Sequence, residues 1–411
     1  MGQVKSRRRV LVVGAGAYQC DLIQTVKREG HTAIALDGSA KAPGLALADV
    51  AHVCDVRDTA RVCALADEAA VEAVLTAASD IALPAVAAVV EHRGLPGLRR
   101  DVMLRGRDKW ATFKALQQAG LPAPQTVLAE RADLRAQHAA LVRSHGLPIV
   151  VKPRASAGGR GVRIVQSPGE LEAAFVHAEA CATGPSGVLL QAYVGGKSVG
   201  IEACFFEGEL VRAFPMEDQY APGFVSPVGH ALPAALAPAE LALVHHNVAA
   251  WGRALQVHTG VVNFDARLAG PTLVMLEANM RPGGSSITEL LRVGLGVDIS
   301  LVALRCALGE HPRSAFAPAS QATPVACRLV LGTCGRRVKS HGPFAEPSAP
   351  STTVLCERVP VGDRPPEVNG VGLLGRCIVK AQTADAAVEA ASTLADALAS
   401  SMDFDLTEGH A

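Results

Sequence analysis

The sequence predicts a fold of the α/β and α+β classes, in which an N-terminal open parallel α/β domain precedes a longer α+β region. Over roughly the first 100 residues, short apolar runs typical of buried strands alternate with helical stretches. Further along, pairs of apolar runs are joined by short turns that contain Gly or Pro, which indicates hairpins. The chain of 411 residues is long enough for two or three domains with a large core.

The composition argues against several classes of function. Hydrophobic residues make up 49% of the chain, and 39 Lys and Arg residues balance 39 Asp and Glu residues. A net charge of zero argues against nucleic acid or an anionic membrane as the main partner. No uncharged apolar run reaches the roughly 18 residues that a membrane span needs. The ten cysteines form no CxxC pair and no secretory leader opens the chain, so we expect reduced thiols and a cytoplasmic location.

The first strand–helix–strand unit contains a glycine turn. The first apolar run ends at Gly14 and Gly16, a helical stretch follows, and the second apolar run ends at Asp37. This order resembles a dinucleotide fingerprint, with an acid roughly 20 residues after the glycines. Gln19 stands where the third glycine of that fingerprint would be. Two glycines also fit any close strand-to-helix turn, so the fingerprint is weak.

Alternation of strands and helices continues to about residue 100. Ser79 and Asp80 precede a predicted helix and are expected to cap it. Another helix is predicted over residues 105–120, with Lys109 in its first turn. Taken alone, this lysine is as well explained by a solvated surface as by a binding site.

A glycine-rich loop between two strands has the pattern of a phosphate site. One strand ends in Lys152, the loop after it contains Ser156, Gly158, Gly159 and Gly161, and a second strand resumes at once. Backbone N–H groups in such a loop form an anion-binding nest, and a cation at the strand end is placed to meet the same phosphate. A flexible hairpin is the alternative. The loop is not a Walker A motif, because no helix follows it.

The middle of the chain adds a hinge, a hairpin and a loop. A strand over residues 188–194 ends in a glycine pair that resembles a hinge, and residues 199–206 and 209–214 are predicted to form a hairpin. Residues 217–231, which are rich in Pro and Gly and include His230, are predicted to form a long loop. Loops of this kind often carry substrate contacts.

The hairpin predicted over residues 261–278 is the most informative stretch. Each of its strands carries one acid in an apolar setting, Asp265 and Glu277. Asn279 lies two residues after Glu277 and therefore on the same face of an extended chain, and Arg281 lies two residues further on. Mg²⁺ suits a few carboxylate and amide oxygens together with substrate phosphates, and a guanidinium fits a phosphate or carboxylate. A solvated surface hairpin is the alternative.

The remaining segments are helices and strands without an evident chemical motif. They comprise helices over residues 238–255 and 287–308, a Pro- and Ala-rich linker over residues 311–323, strands over residues 325–331 and 375–381, and a closing helix over residues 384–400.

Taken together, these motifs resemble the ATP-grasp superfamily. Lys109, the loop after Lys152, the hinge and the acidic hairpin follow one another in the order and spacing of that family between residues 105 and about 290. Residues 224–233, followed by residues 279–284, are similar to the L-amino-acid ligase branch, which includes dipeptide synthetases. The resemblance implies two α+β subdomains that clasp ATP, after an N-terminal Rossmann-like domain and before a C-terminal α+β segment.

The resemblance also implies domain boundaries. The Rossmann-like domain would span residues 1–103. The nucleotide-binding and catalytic region would span residues 104–310, with a mobile lid at about 125–192. Residues 311–411 would form the C-terminal α+β segment that completes the catalytic domain.

The activity implied is ATP-dependent ligation of a small carboxylate to an amine through an acyl phosphate, with release of ADP and phosphate. ATP and one or two Mg²⁺ ions (or Mn²⁺) would be the cofactors, and a homodimer is common in the family. The site residues implied are Arg281, Lys152 and His230 for catalysis; Lys109, Lys152, Ser156, Gly158, Gly159, Gly161, Gln191, Ala192, Val194 and Ser198 for the nucleotide; Glu202, His230, Arg281, Gly283 and Gly284 for the substrates; and Asp265, Glu277 and Asn279 for the metal.

Four positions depart from the family pattern. Gln191 stands where the hinge usually begins with an acid, and Ser198 falls where a glutamate commonly contacts ribose. Asn263 stands where a histidine is frequent. Pro227 lies in the segment where the amino-acid ligases often carry an acid suited to an α-ammonium group. The acyl donor is therefore expected to differ from a simple L-α-amino acid.

Other functions remain open from sequence alone. Within the superfamily, a purine-biosynthesis-type ligase is the nearest competitor, and a biotin-carboxylase-like enzyme is a more distant one. A nicotinamide-dependent oxidoreductase would rest on Gly14, Gly16 and Asp37 but leaves the Lys152 loop unexplained. A nucleotide-binding module without catalysis is the last alternative, and the full set of phosphate and metal residues argues against it.

Overall fold

The computed structural model describes residues 6–316, 322–368 and 371–405. Part of the predicted linker, residues 317–321, lies outside the described residues. The fold class predicted from the sequence is confirmed. A parallel sheet comes first, and α+β units follow it. None of the helices in the described ranges is long and apolar enough to cross a membrane.

The N-terminal domain is a parallel sheet covered by helices. Its strands have the order β3-β2-β1-β4, and the residues of β1 after Arg9 are fully buried, as the apolar run predicts. Ser79 makes no capping hydrogen bond, contrary to expectation, and a 3-10 turn separates it from the following helix. The elements are β1 (Arg9–Val13), α1 (Cys20–Arg28), β2 (Thr32–Asp37), β3 (Val50–Val53), α2 (Thr59–Glu68), β4 (Ala73–Leu75) and α3 (Leu83–Arg93).

The prediction of a single helix over residues 105–120 is wrong, because the chain forms two helices there. They are α4 (Arg100–Arg107) and α5 (Lys109–Gln118). Asp108 between them has extended backbone angles, and its carboxylate accepts a hydrogen bond from the Ala111 N–H at 3.2 Å. The same carboxylate pairs with Arg154, whose Nε lies 2.8 Å from it. Asp108 thereby places Lys109 at the first position of a new helix and ties that helix to the loop after Lys152.

Residues 126–192 form a separate small unit with its own core. Antiparallel strands in the order β5-β8-β6-β7 pack against two helices around Leu141, Ile149, Phe175 and Leu190. A core that is closed within one unit lets that unit move as a body, and the mobility of this lid stays a prediction. The elements are β5 (Thr126–Ala129), α6 (Leu134–His145), β6 (Ile149–Pro153), β7 (Arg163–Val165), α7 (Leu171–Ala180) and β8 (Val188–Ala192).

The central unit is an antiparallel sheet backed by helices. Two predictions are wrong here. The loop expected over residues 217–231 is shorter, because strands occupy both of its ends. The single helix expected over residues 287–308 is two helices, because Gly296 has a left-handed conformation that ends the first and Asp298 caps the second. The elements are β9 (Lys197–Phe206), β10 (Glu209–Gln219), β11 (Gly229–Leu232), α8 (Pro238–Leu255), β12 (Gly260–Ala269), β13 (Thr272–Asn279), α9 (Ile287–Leu295) and α10 (Ile299–Ala307).

The C-terminal segment extends the central sheet. Its strand β14 (Val325–Gly332) pairs with β11, which gives the continuous order β13-β12-β9-β10-β11-β14-β18-β16. The predicted strands and closing helix are found, whereas several short strands were not predicted. The other elements are β15 (Val338–His341), β16 (Thr352–Arg358), β17 (Glu367–Val368), β18 (Val371–Lys380), α11 (Ala384–Ser400) and β19 (Met402–Phe404).

The core behind the central sheet depends on a close approach at Gly252 of α8. A Cβ atom there would lie 2.7 Å from Cζ of Phe205, a fully buried ring that packs edge-on against Phe264. We therefore expect Gly252→Ala to lower the free energy of unfolding by about 1–3 kcal/mol, because overpacking forces buried rings out of place. Denaturant unfolding measures this loss. Leu241→Ala on the exposed side of α8 is the control, and an equal loss in both variants would contradict the packing argument.

Candidate active site

The candidate site lies on one face of the central sheet, where alternate residues of three strands bring polar side chains together. Asp265 of β12 lies directly opposite Glu277 of β13, and Asn263 lies opposite both Asn279 and Glu202 of β9. The period of two that predicted this arrangement from the sequence is therefore present in the hairpin.

Two lysines approach this face from outside the sheet. Lys109 is buried, and its Nζ lies 3.0 Å from Oε1 of Glu277 and donates to the Ser156 carbonyl at 2.8 Å. Lys152, at the end of β6, is also buried, and its Nζ lies 4.9 Å from the centre of the Phe113 ring. Within the described residues, Lys152 has no hydrogen-bond or ion-pair partner. Burial and the nearby Lys109 charge lower the pKa of Lys152 to about 7.

The glycine-rich loop contributes backbone and one hydroxyl. Gly158, Gly159 and Gly161 have φ angles of 63°, 71° and 79°, a region that favours glycine. The Ser156 hydroxyl is buried without a partner in the described chain. Gly161 packs behind the loop, because a Cβ there would lie 2.7 Å from both Pro153 and Cys181. Ser156, Gly158 and Gly159 line the cavity of the site, whereas Gly161 does not.

Asp265 and Glu277 form an acidic pair that favours a bound cation. Burial, followed by the charges of Glu277 and Asp218, raises the pKa of Asp265 well above its ordinary value. Among the residues that the structure describes, no three His, Cys, Asp or Glu side chains are grouped to hold a metal. Two carboxylates and the Asn279 amide nevertheless fit Mg²⁺, which binds proteins through one or two carboxylates and keeps its other positions for water and phosphate.

Arg281 pairs with Asp80, which the sequence singled out only as a helix cap. Arg281 Nη2 donates to Asp80 Oδ2 at 2.6 Å, and its Nε is buried without a partner in the described chain. Burial alone would lower the pKa of Arg281, but the Asp80 charge holds it above its ordinary value. The expected cap residue thus belongs to the site. Because the two residues are 201 positions apart, local sequence carries no signal for the pair.

Glu202 lies close enough to Arg281 for the two charges to interact, and it is fully buried. Its Oε1 accepts a hydrogen bond from the Gly283 N–H at 2.6 Å, while its Oε2 is buried without a partner. Burial raises the pKa of Glu202 to about 7, against the lowering effects of the Gly283 N–H and Arg281. Glu202 therefore holds the backbone at Gly283, which precedes the loop residue Gly284.

His230 lies on β11 opposite Asp218 of β10, and its Nδ1 is 2.9 Å from Asp218 Oδ1. Asp218 also accepts a hydrogen bond from the Ser198 hydroxyl at 2.9 Å, and Ser198 lies 3.1 Å from the Tyr220 hydroxyl. Asp218 and Tyr220 were missed from the sequence because they fall in the stretch interpreted as a loop. Extending the alternation of β10 by a few residues would have placed Asp218 on the site face.

These elements enclose a cavity of about 460 Å³. Gln191 lies at its hinge side, where the side-chain amide donates to the Thr126 hydroxyl at 2.8 Å. Of the residues expected at the site, Gly161, Ser198, Glu202 and Gly283 lie outside the cavity wall. Those on the wall are Lys109, Lys152, Ser156, Gly158, Gly159, Gln191, Ala192, Val194, His230, Asp265, Glu277, Asn279, Arg281 and Gly284.

The N-terminal glycine turn is filled by its own chain. Asp37 accepts hydrogen bonds from the Ala15 and Ser39 N–H groups at 2.9 and 2.8 Å. The Gln19 side chain occupies the turn near Gly14 and donates to the Ala77 carbonyl. The acid of the weak dinucleotide fingerprint is therefore used in the fold, which leaves the oxidoreductase alternative without support.

Two α+β units that close on one cavity, with lysines opposite carboxylates, define a nucleotide-clasping protein. Residues 106–285 match a family model described as an ATP-grasp domain. The chain therefore carries an ATP-grasp domain, and the resemblance predicted from its motifs is confirmed.

Several known proteins are similar to this chain. A formate-dependent phosphoribosylglycinamide formyltransferase of Burkholderia pseudomallei is 31% identical over 235 residues, which cover 55% of this chain and 54% of that protein. The chain thus spans about half the length of the curated relatives it matches. The L-amino acid ligase of Bacillus licheniformis shares the fold with a TM-score of 0.76, 17% identity and coverage of 98% and 99%. The biotin carboxylase domain of the Hydrogenobacter thermophilus 2-oxoglutarate carboxylase, in complex with MgADP, has a TM-score of 0.76, 19% identity and coverage of 97% and 90%.

The pKa of Lys152 leads to a prediction about proton uptake. At pH 8 a lysine with a pKa of about 7 is mostly neutral. A bound polyphosphate favours the charged form and raises that pKa, so we expect binding of ADP to take up most of one proton. Calorimetry at pH 8 in two buffers with different ionisation enthalpies measures the uptake. It should disappear in Lys152→Met and persist in Lys114→Met, and equal uptake in both variants would contradict the assignment.

Proposed function

We propose that this protein is an ATP-dependent ligase that joins a small carboxylate, such as an amino acid or a related acid, to an amine or amino acid. The reaction passes through an acyl phosphate and releases ADP and phosphate. One observation carries the proposal: a buried lysine without an anion, Lys152, shares a cavity with a crowded carboxylate pair, Asp265 and Glu277. A metal-bound polyphosphate satisfies both at once, since it supplies an anion and a cation together.

The nucleotide would lie along the cavity from the hinge to the acidic pair. Ala192, Val194 and the backbone at Gln191 line the cavity and would contact adenine, whereas Ser198 lies outside the cavity wall. Lys109, Lys152, Ser156, Gly158 and Gly159 would hold the phosphates, with Gly161 shaping their loop. Asp265, Glu277 and Asn279 would hold Mg²⁺, which neutralises charge on phosphate oxygens when it is bound.

The acyl group would lie at the opposite end, beside Arg281. Arg281 lines the cavity, and its guanidinium would contact the reacting carboxylate or the phosphate that this carboxylate receives. Asp80 fixes the direction of this guanidinium, and Glu202 fixes the backbone at Gly283 beside Gly284. The Arg281 guanidinium, oriented by Asp80, would position the acid and stabilise negative charge as it develops. His230 faces the same space from β11.

Pro227 lies on the cavity wall together with Val225 and Ser226. None of these three side chains is acidic, so none of them could pair with an α-ammonium group. We therefore favour acids without that group as acyl donors. Comparing an amino acid with its des-amino analogue tests the preference: a higher rate with the amino acid would contradict it.

A second candidate belongs to the same enzyme class. The 31% identity to a formate-dependent phosphoribosylglycinamide formyltransferase favours a purine-biosynthesis-type ligase. That candidate would use formate or another one-carbon acid and a phosphoribosyl amine. A biotin-carboxylase-like reaction would instead use bicarbonate.

The experiment that tests these proposals is a screen of ADP release with purified protein, ATP and Mg²⁺. Carboxylates are offered alone and then with amines, with separate arms for formate plus phosphoribosylglycinamide and for bicarbonate. Release that depends on both a carboxylate and an amine supports ligation. Release with only the one-carbon arms supports the second candidate, and no release in any arm contradicts the proposed class. A cytoplasmic location, the absence of nucleic-acid and membrane partners, and a homodimer stay predictions.

A further inference from the structure

The pair formed by Asp218 and His230 has the geometry of an oriented base. The two residues lie opposite each other on β10 and β11, and their side chains are only 1% and 6% exposed. Asp218 Oδ1 and His230 Nδ1 are 2.9 Å apart. A carboxylate only accepts hydrogen bonds, so Nδ1 donates to Asp218, which leaves Nε2 as the ring nitrogen that can accept a proton.

The lone pair of His230 has access to the cavity. The imidazole forms part of the cavity wall, and Nε2 has no hydrogen-bond partner within the described residues. Nε2 is not sealed within the interior, whereas Glu202 Oε2 is sealed there without a partner in the described chain. Glu202 does not reach the wall. Of His230 and Glu202, therefore, only His230 can contact a substrate directly.

Asp218 is itself held in place by a chain of hydroxyl groups. The Ser198 hydroxyl donates its only proton to Asp218 Oδ2 at 2.9 Å. In its contact of 3.1 Å with Tyr220, Ser198 is therefore the acceptor and the Tyr220 hydroxyl is the donor. Burial raises the pKa of Tyr220 to about 12, which keeps the phenol protonated as a donor. Gly200 leaves the room that the carboxylate needs, because a Cβ there would lie 2.6 Å from Asp218 Oδ1. The carboxylate thus has one orientation, which in turn fixes the imidazole.

Amide formation requires a group that removes a proton from the amine. An alkyl amine is protonated at neutral pH, with a pKa of about 10, and an ammonium nitrogen has no lone pair with which to attack. We propose that His230 Nε2 accepts this proton and that Asp218 is the positioning residue that presents Nε2 to the amine. This inference rests on the proposed function.

The atoms of the step balance as follows. The ammonium gives one proton to Nε2, and the free amine nitrogen then forms a bond to the acyl carbon. The bond between that carbon and the phosphate oxygen breaks, and phosphate leaves with the bonding electrons. The nitrogen loses its second proton to the departing phosphate, which leaves a neutral amide.

The test compares two nucleophiles with the best carboxylate from the screen. One nucleophile is the best amine of that screen, which must lose a proton before it attacks. The other is hydroxylamine, which is uncharged at neutral pH and traps acyl phosphates as hydroxamates. We expect Asp218→Asn and His230→Gln to lower kcat with the amine by about 100-fold, in the range of general base catalysis, and to leave hydroxamate formation within about threefold of wild type. The KM for ATP should not change.

The control is Asp67→Asn, which breaks an exposed Asp–His pair at His92 and should leave both rates unchanged. Equal losses with both nucleophiles in the His230 and Asp218 variants would overturn the inference, because they indicate a role before amine attack. Unchanged rates with both nucleophiles would overturn it as well. His230→Gln decides the matter if Asp218→Asn fails to fold. A wild-type protein without carboxylate- and amine-dependent ADP release would overturn the proposed function together with this inference, whereas active variants beside an active wild type would overturn the inference alone.

Discussion

Replacing Glu277 with glutamine should abolish product formation, with a loss of about 1000-fold or more, while the protein remains folded. Glu277 supplies one of the two carboxylates at the predicted metal position and is the partner of Lys109 at 3.0 Å. Metal stabilisation of phosphoryl charge contributes several kcal/mol, and about 1.4 kcal/mol corresponds to a factor of ten in rate.

The fold should survive this change for two reasons. Glutamine has nearly the volume of glutamate, and the substitution removes a charge that raises the pKa of Asp265. Relief of that repulsion offsets the lost contact with Lys109. Steady-state ADP release and thermal unfolding measure the two effects separately.

Glu217→Gln is the matched control for the glutamate substitution. Glu217 lies in the same sheet, next to Asp218 in sequence, and therefore points to the opposite face. Its substitution should leave turnover unchanged. If Glu277→Gln keeps wild-type turnover, or responds to Mg²⁺ concentration as the wild type does, the metal assignment is wrong.

Replacing Lys152 with alanine should weaken nucleotide binding by about 10- to 100-fold, because a hydrogen bond to a charged group contributes about 1.5–3 kcal/mol. The buried Lys152 amino group has no partner in the described chain and lies on the cavity wall. A buried ammonium is costly without an anion, and the part of the protein that the structure describes supplies no anion that contacts Lys152. The ion pair between Lys152 and a bound phosphate therefore contributes to nucleotide affinity. Titration with ADP and with ATP measures the loss.

Two further variants separate charge from packing at this position. Lys152→Met keeps most of the apolar stem against the Phe113 ring and removes only the charge, so it should lose as much affinity as Lys152→Ala. Lys114→Met removes a second lysine that lies over an aromatic ring, here Trp110, on the same helix as Phe113. It should bind nucleotide normally. An unchanged affinity in both Lys152 variants would contradict the interpretation of the loop.

The fold was predictable wherever the pattern was local. The buried runs of the N-terminal sheet, the helix Pro238–Leu255 and the hairpin around Asp265 and Glu277 follow from apolar runs, caps and turns, and the structure contains them. Helix ends were missed where one polar residue overrides a continuous pattern. Asp108 interrupts a helix because its carboxylate caps the next turn and pairs with Arg154.

The candidate site was also predictable only where its residues are close together in the chain. Asp265, Glu277 and Asn279 share a face because side chains of a strand alternate, and the sequence contains that alternation. Asp80 was missed because its importance comes from Arg281, which is far away in the chain. The Asp218 contact with His230 was hidden by the Pro- and Gly-rich stretch between them, which joins two paired strands.

The amino-acid sequence alone therefore determined the order of the units, the phosphate-type loop after Lys152 and the acidic face of the hairpin. Only the tertiary structure decided that Lys109 meets Glu277, that Arg281 meets Asp80 and that Lys152 is left without an anion. The physical reason is that the cost of a buried charge depends on which other charges share its low-dielectric surroundings. Packing between distant segments sets those surroundings, and no local pattern records them.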